Sequence, residues 1–279
     1  MMPCGKELGG APANFVYYCN LFNSQAYLVS AVGNDELGRE SLLYLRQAGI
    51  SAEYVQKLEN KPTGTVAVGL DVNGKPKYEI KENVAWDCIE FDHKLLRLAG
   101  QVDAVCFGSI SQRSKISRNA VISFLENTRG DCLRVFDINL RQCFYSKQVI
   151  DESLLLANVL KINDEELIVV KDMFGLKGRQ SSCLEQLAEK KSLDTIILTC
   201  GAEGSEIYHK GQFDKHPGLE CNPINTVGAG DSFTAVAVIG LLSKKTIEEI
   251  NKQSNRLATI VCENNGAMVD KNDINLMEI

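Results

Sequence analysis

Short apolar runs recur along the chain between polar, turn-prone stretches, and their lengths and periods separate two kinds of element. Residues 25–33, 102–107, 133–136, 159–162 and 195–199 are brief and rich in Val, Ile, Leu and Phe, which predicts strands. Helical spacing follows them: residues 35–48 carry Leu37, Leu42, Leu43 and Leu45 on one side, and residues 114–127, 151–156, 164–170 and 183–190 read as further helices. Repeated strand-then-helix alternation predicts an α/β fold with a mostly parallel central sheet covered by helices on both faces. Ligands of such a fold bind outside the carboxyl ends of the strands. One stretch departs from the pattern. Residues 65–70 and 78–81 alternate in the manner of half-buried strands around Asn73-Gly74, a strong hairpin signal, so a small antiparallel insertion is expected at about 60–86, with a lid as one use for it. Trp86, the only Trp, follows it and either packs over a ligand or anchors the insertion.

Composition narrows the function. At 279 residues with 44% hydrophobic and 24% charged residues and 6 Pro, residues 1–279 read as one α/β domain carrying an appended element. A formal charge of −6 without a Lys/Arg run argues against nucleic-acid and anionic-membrane partners, leaving a small molecule. The 10 Cys include no C-x-x-C pair, and with only three His there is no metal-ligand spacing; most of the Cys sit in apolar runs, as small buried thiols do in a reducing compartment. No leader pattern and no apolar run of about 18 residues is evident, so a cytoplasmic location is the expectation.

The chemistry concentrates where strands and turns end. In Asn225-Thr226-Val227-Gly228-Ala229-Gly230-Asp231-Ser232-Phe233, two Gly let the backbone turn into the apolar run 233–242, so that N–H groups point into one pocket at a helix start. An anion fits there. The Asp in the same turn would repel a phosphate unless it takes a proton from whatever attacks that phosphate; alternatively, the residues are an ordinary capped helix after a Gly-rich loop. The turn lacks the Lys-Ser/Thr pair of a Walker loop. Other strand ends carry Asp137-Ile138-Asn139-Leu140-Arg141, Asn163-Asp164-Glu165-Glu166 and Thr199-Cys200-Gly201-Ala202-Glu203-Gly204. Gathered on one sheet edge, carboxylates, amides, a guanidinium and glycines are the mixture a metal–nucleotide site needs, although each alone is a common helix cap. Near the start, Gly9-Gly10-Ala11-Pro12-Ala13-Asn14 is a close-approach turn before a helix, with Asn14 either a cap or a polar contact.

These motifs, over nearly the whole chain, resemble the ribokinase-like (PfkB) family of carbohydrate kinases, most closely its fructokinase-type members. The resemblance implies a three-layer α/β sandwich with a β lid and ATP-dependent phosphorylation of a sugar hydroxyl, most closely that of fructose. Nucleoside or other sugar kinases of the same fold are the alternative. Asp231 resembles the family's general base, and the N–H groups of Gly228, Ala229 and Gly230 resemble its anion hole. Gly9, Gly10 and Asn14 match the sugar-binding turn, and Arg141 a phosphate or substrate contact. Asn163 and Glu166 match the family's N-x-x-E, which organises Mg²⁺ and phosphate, with Glu166 on the metal side. Thr199, Gly201, Gly204 and Asn255 match positions lining the nucleotide. The resemblance also carries dimer contacts through the lid.

Two departures stand out. Asn225 occupies a position where the family usually has Asp, which in some members helps hold a monovalent cation, so the resemblance does not extend to that cation. The family's first strand, ending in a sugar-binding Asp, has no counterpart before Met1-Met2-Pro3. Its loss is expected to leave an open groove in the sheet, either in a truncated chain or because Met1 is internal to a longer one; impaired catalysis with ligand binding alone is then the competing expectation.

Overall fold

In the computed structural model, which describes residues 9–70 and 76–274, helix α1 (Ala11–Leu21) precedes a parallel pair, β1 (Ser30–Gly33) and β2 (Val55–Leu58), linked through α2 (Glu36–Gln47). Asp35 starts α2 by accepting the Gly38 N–H at 2.7 Å, and the same carboxylate accepts the Thr63 N–H at 2.8 Å and the Thr63 hydroxyl at 2.6 Å. A helix cap thereby fixes the start of the insertion. There β3 (Val66–Leu70) and β4 (Pro76–Ile80) pair antiparallel in the register Val66 to Ile80. The Asn73-Gly74 turn expected between them lies outside the described residues, as do Met1 to Leu8.

After α3 (His93–Ala99) come β5 (Ala104–Gly108), α4 (Lys115–Glu126), β6 (Leu133–Asp137), α5 (Lys147–Leu156), β7 (Val159–Asn163), α6 (Asp164–Phe174), α7 (Gln180–Lys191) and β8 (Thr195–Thr199). Next are β9 (Ser205–His209), β10 (Gln212–His216), α8 (Ala229–Leu242) and α9 (Ile247–Cys262). The six-stranded sheet runs β10-β9-β8-β7-β6-β5, parallel from β5 to β8 and antiparallel at β9 and β10. The period of two sorts its side chains. Phe136, Ile138, Leu160, Ile162, Ile196 and Leu198 pack toward α5, α6 and α7, whereas Val135, Val159 and Ile197 pack toward Phe233, Ala237 and Val238 of α8. Asp137 and Lys161 continue the second row, and they are register partners on adjacent strands. Both therefore meet the α8 face at the carboxyl edge of the sheet.

Among the described residues no strand lies between β1 and β5. Their facing edges border a cleft of about 3230 Å³, lined by Ser30, Ala31 and Val32 on one side and by Ala104, Cys106 and Gly108 on the other, that continues to Asp231. The β1 pair and the large sheet still share packing: Ala31 and Val29 join Val105, Ala120 and Phe124 in one cluster, and Phe15 of α1 touches clusters on both sides.

Candidate active site

The glycine turn is the N-terminus of α8. Gly228 is its N-cap at φ 86°, in the left-handed region, and no side chain caps the helix. A Cβ there would stand 2.7 Å from the Ala267 carbonyl oxygen and 2.8 Å from the Ala267 Cβ, so conformation and space both demand Gly. Ser232 to Gly240 are all buried, which anchors the helix while its first turn opens on the cleft. The Ala229 N–H already bonds the Thr226 carbonyl at 3.3 Å, whereas the N–H groups of Gly228, Gly230 and Asp231 find no acceptor among the described residues. Of the three donors expected from sequence, Gly228 and Gly230 are without an acceptor among the described residues, as is the neighbouring Asp231 N–H, and Ala229 is engaged. Converging free N–H groups at a helix start favour an anion.

Asp231 stands in this first turn. One of its oxygens accepts the Asn14 side-chain N–H at 2.7 Å from α1, 217 positions away in sequence. Burial raises the carboxyl pKa; the Asn14 hydrogen bond opposes this, Asp137 adds to it, and Lys161 and Arg141 lower it, with the net shift upward. A carboxylate with a raised pKa is a better proton acceptor at neutral pH than an ordinary one. Asn14 is itself buried, and its Oδ1 has no hydrogen-bond partner among the described residues. Gly10, at φ 136°, caps α1 and, with Gly9, lines the same cleft; a Cβ on either would meet nothing within 4 Å.

Beneath the turn, Lys161 Nζ lies 3.4 Å from Asp137 Oδ1, both side chains about nine-tenths buried. Asn163 and Glu166 form a reciprocal capping box on α6. The Glu166 N–H donates to Asn163 Oδ1 at 2.8 Å, the Asn163 N–H donates to Glu166 Oε2 at 2.9 Å, and Glu166 Oε1 accepts the Leu140 N–H at 2.8 Å. Glu166, expected as a metal contact, is thus buried with both oxygens engaged by backbone, and it ties the Asp137 to Arg141 loop to α6. Asn163, Asp164 and Glu165 face the cleft instead. No group of three or more His, Cys, Asp or Glu side chains among the described residues is arranged to hold a metal ion. Such a donor set fits a divalent ion carried mainly by nucleotide oxygens and water, with carboxylates at one remove, rather than a protein cage.

Arg141 is exposed at the cleft, its Nη1 donating to the Leu140 carbonyl at 3.0 Å. The loop that presents it has Asn139 at φ 40° and Gln142 at φ 49°, unusual conformations for residues with a Cβ. On the far side of the cleft, Thr199 ends β8 and Gly201 opens a short 3-10 turn at φ 55° with free space around it. Gly204 has another reason to be Gly: a Cβ would fall 2.1 Å from the His216 carbonyl oxygen, so it permits close packing of two backbone segments. Asn255, on α9, donates to Ser205 Oγ at 2.7 Å and to the Asn251 carbonyl at 2.8 Å, within a buried network that seats α9 on β9. Thr199, Gly201, Gly204 and Asn255 all line the cleft. The structure therefore brings every residue expected at the site to one cleft except Glu166, which stands just behind it.

Two features escaped the sequence reading. Lys161 was hidden inside an apolar strand, where a lone buried cation was the available signal. Arg113, which holds the expected Trp86 anchor of the insertion, is the other. Arg113 pairs with Asp87 through Nε at 2.7 Å and Nη2 at 2.9 Å, and its guanidinium lies 4.0 Å from the Trp86 ring centroid. Arg113 Nη2 also donates to the Lys81 carbonyl, directly after β4. Trp86 accordingly anchors the insertion while one side of it lines the cleft.

Residues 4–274 match the model of the pfkB family carbohydrate kinases. The chain belongs to that family. It is 27% identical over 270 residues to a sugar kinase of Pyrococcus horikoshii, covering 94% of this chain and 83% of the relative. The crystal structure of that kinase in complex with ATP superposes with a TM-score of 0.81 at 26% identity, covering 95% of this chain and 85% of the other. A fructokinase of Salmonella typhimurium is 27% identical over 234 residues (81% of this chain, 74% of the relative). The 2-dehydro-3-deoxygluconokinase of Haemophilus influenzae is 27% identical over 288 residues (95% and 89%). The protein is thus a PfkB sugar kinase with the ribokinase-like α/β fold, a phosphotransferase of an ATP-binding family. No helix among the described residues is long and apolar enough to cross a membrane.

Proposed function

We propose that this kinase transfers the γ-phosphoryl group of ATP to a hydroxyl of fructose, with Asp231 as the general base. The observation that carries the reading is the pairing in one helical turn of a half-buried, Asn14-held carboxylate with unengaged backbone N–H groups. Asp231 takes the hydroxyl proton as the sugar oxygen bonds to the γ-phosphorus and the bond from that phosphorus to the β,γ-bridging oxygen breaks. The N–H groups of Gly228, Gly230 and Asp231 hold the transferring oxygens, where preorganised donors lower the barrier most. Asp164 and Glu165, which face the cleft, would hold a nucleotide-bound Mg²⁺ through water, and that ion would supply neutralisation of phosphate charge. Gly9 and Gly10 let the sugar approach the start of α1, and Thr199, Gly201 and Asn255 flank the nucleotide.

Fructose is favoured by the fructokinase-type motifs. A 2-keto sugar acid is the second reading, because the relative named for one is equally identical and Arg141 offers a cation at the cleft. An ATP-coupled assay over fructose, 2-dehydro-3-deoxygluconate, ribose and a nucleoside, run with wild type and Asp231→Asn, tests both choices. Fructose should give the highest kcat/KM, and the substitution should lower kcat by about 10²–10⁴-fold. A substrate whose turnover survives Asp231→Asn removes Asp231 as the base.

A further inference from the structure

Lys161 stands in the middle of Val159-Leu160-Lys161-Ile162-Asn163, a strand whose first four residues are buried. Placing an ammonium there costs several kcal/mol unless its charge is answered. The answer it receives is incomplete as hydrogen bonding. It forms an ion pair with Asp137 Oδ1 at 3.4 Å whose geometry is not that of a hydrogen bond, and no hydrogen bond from its ammonium is formed to any described residue. The side chain borders the cleft, and a Cβ placed on Gly230 would lie 3.2 Å from Nζ, so the ammonium rests against the first turn of α8. The position follows from register: Lys161 and Asp137 pair across β7 and β6 on the α8 face.

The charges around it come from every neighbouring element. Asp137 ends β6, Glu166 lies on α6, Asp231 on α8, Arg141 on the loop after β6, and the Cys106 thiol on β5. Burial pushes the Lys161 pKa down, but Asp137, Glu166 and Asp231 together outweigh it, and the group titrates above its ordinary value and stays charged. Three carboxylates thus surround Lys161, and Arg141 acts on Asp231 from the cleft side. An ammonium with unfilled donors beside free N–H groups is poised for an anion that arrives with the substrate.

We propose that Lys161 is a positioning residue for phosphoryl transfer: its ammonium adds a buried positive charge behind the N–H groups of the glycine turn and balances the carboxylates around Asp231. The inference rests on the reading of that turn as the phosphoryl site. A purely structural role, a counter-charge that only holds β6 to β7, makes different predictions.

The test is Lys161→Met, which keeps most of the side-chain volume and removes the charge, assayed with ATP and the best sugar from pH 5 to 9. The expected result is a fall in kcat of about 10²–10³-fold, the scale for losing one preorganised donor, with KM for the sugar within a few-fold. The acidic limb of kcat/KM should move to higher pH, because Asp231 loses a cation that favours its ionised form. ADP should bind as to wild type, while the tightening of ADP by aluminium fluoride and sugar together is lost. Unchanged kcat per folded molecule with an unshifted limb would overturn the proposal, even if the melting temperature drops. Should Lys161→Met alone fail to fold, Asp137→Asn/Lys161→Met removes both charges; it is compared with Asp137→Asn, and equal turnover in the two overturns the proposal. Asp231→Asn separates the premises: if it is inactive while Lys161→Met is fully active, the base stands and Lys161 does not.

Discussion

Asn14→Ala removes the side chain that, among the described residues, hydrogen-bonds Asp231, the proposed base. Its Nδ2 donates to Asp231 at 2.7 Å, and a hydrogen bond to a charged acceptor contributes about 1.5–3 kcal/mol. Because the bond favours the carboxylate, its loss raises the Asp231 pKa further; at about 1.4 kcal/mol per pKa unit the full effect is about 1–2 units, and water entering the vacated space brings it toward the lower end. A base works deprotonated, so the acidic limb of kcat/KM against pH should move up by about one unit while the rate on the alkaline plateau falls less. Global stability should change little, since Asn14 Oδ1 is buried without a partner and its removal relieves an uncompensated group. The measurement is a pH series of ATP-coupled turnover with thermal melting of the same samples. If the limb stays in place and KM for the sugar rises at every pH, Asn14 acts as a sugar ligand and the positioning argument fails.

Gly228→Ala must adopt φ 86° with a Cβ 2.7 Å from the Ala267 carbonyl oxygen; the dihedral alone costs about 1–2 kcal/mol, so a lower melting temperature together with loss of turnover is expected, and wild-type values for both would refute the dual role of this glycine. The Asp35 carboxyl pKa is lowered by hydrogen bonds from the Thr63 side chain and backbone and from the Gly38 N–H. A depressed folded-state pKa means stability present at neutral pH and lost as pH falls through that pKa. Asp35→Ala should therefore cost at least the about 0.5–2 kcal/mol of a helix cap at pH 7 and much less near pH 3; calorimetry showing the same loss at both pH values would contradict the assignment.

The parallel strands β5 to β8 were legible because strands buried on both faces must be short apolar runs, as Val159-Leu160 and Ile196-Ile197-Leu198 are. The edge was not. In β10, Gln212 to His216 lie at the margin of the sheet with most side chains exposed or half-exposed, so packing imposes no apolar alternation on them. Helix α9 stayed hidden for the opposite reason: its inner face interleaves Ile250, Leu257 and Val261 with the buried polar residues Asn251, Ser254 and Asn255, of which Asn251 and Asn255 hydrogen-bond Asp214 and Ser205. At the site, motif spacing located every loop but not the direction of each side chain. Asn163 and Glu166 were expected to organise Mg²⁺ and phosphate, with a helix cap at Asn163 as the alternative; their geometry is that of a capping box, with Glu166 turned inward.

The two glycines of the turn show most plainly what spacing conceals. Both were expected to free the backbone, yet only Gly228 has a positive φ; Gly230 lies in regular helix, where Ala would ordinarily be preferred. What Gly230 provides is room, and the neighbour it makes room for is the Lys161 ammonium on β7, 69 positions earlier and 3.2 Å from where a Cβ would be. A flexible side-chain end can yield a few tenths of an ångström, so Ala at 230 would displace a charge more than it would destabilise the fold. The helix propensity given up at Gly230 is therefore linked to the strand residue below it, and the anion site proposed above is a property of α8 and β7 together rather than of the glycine-rich turn alone.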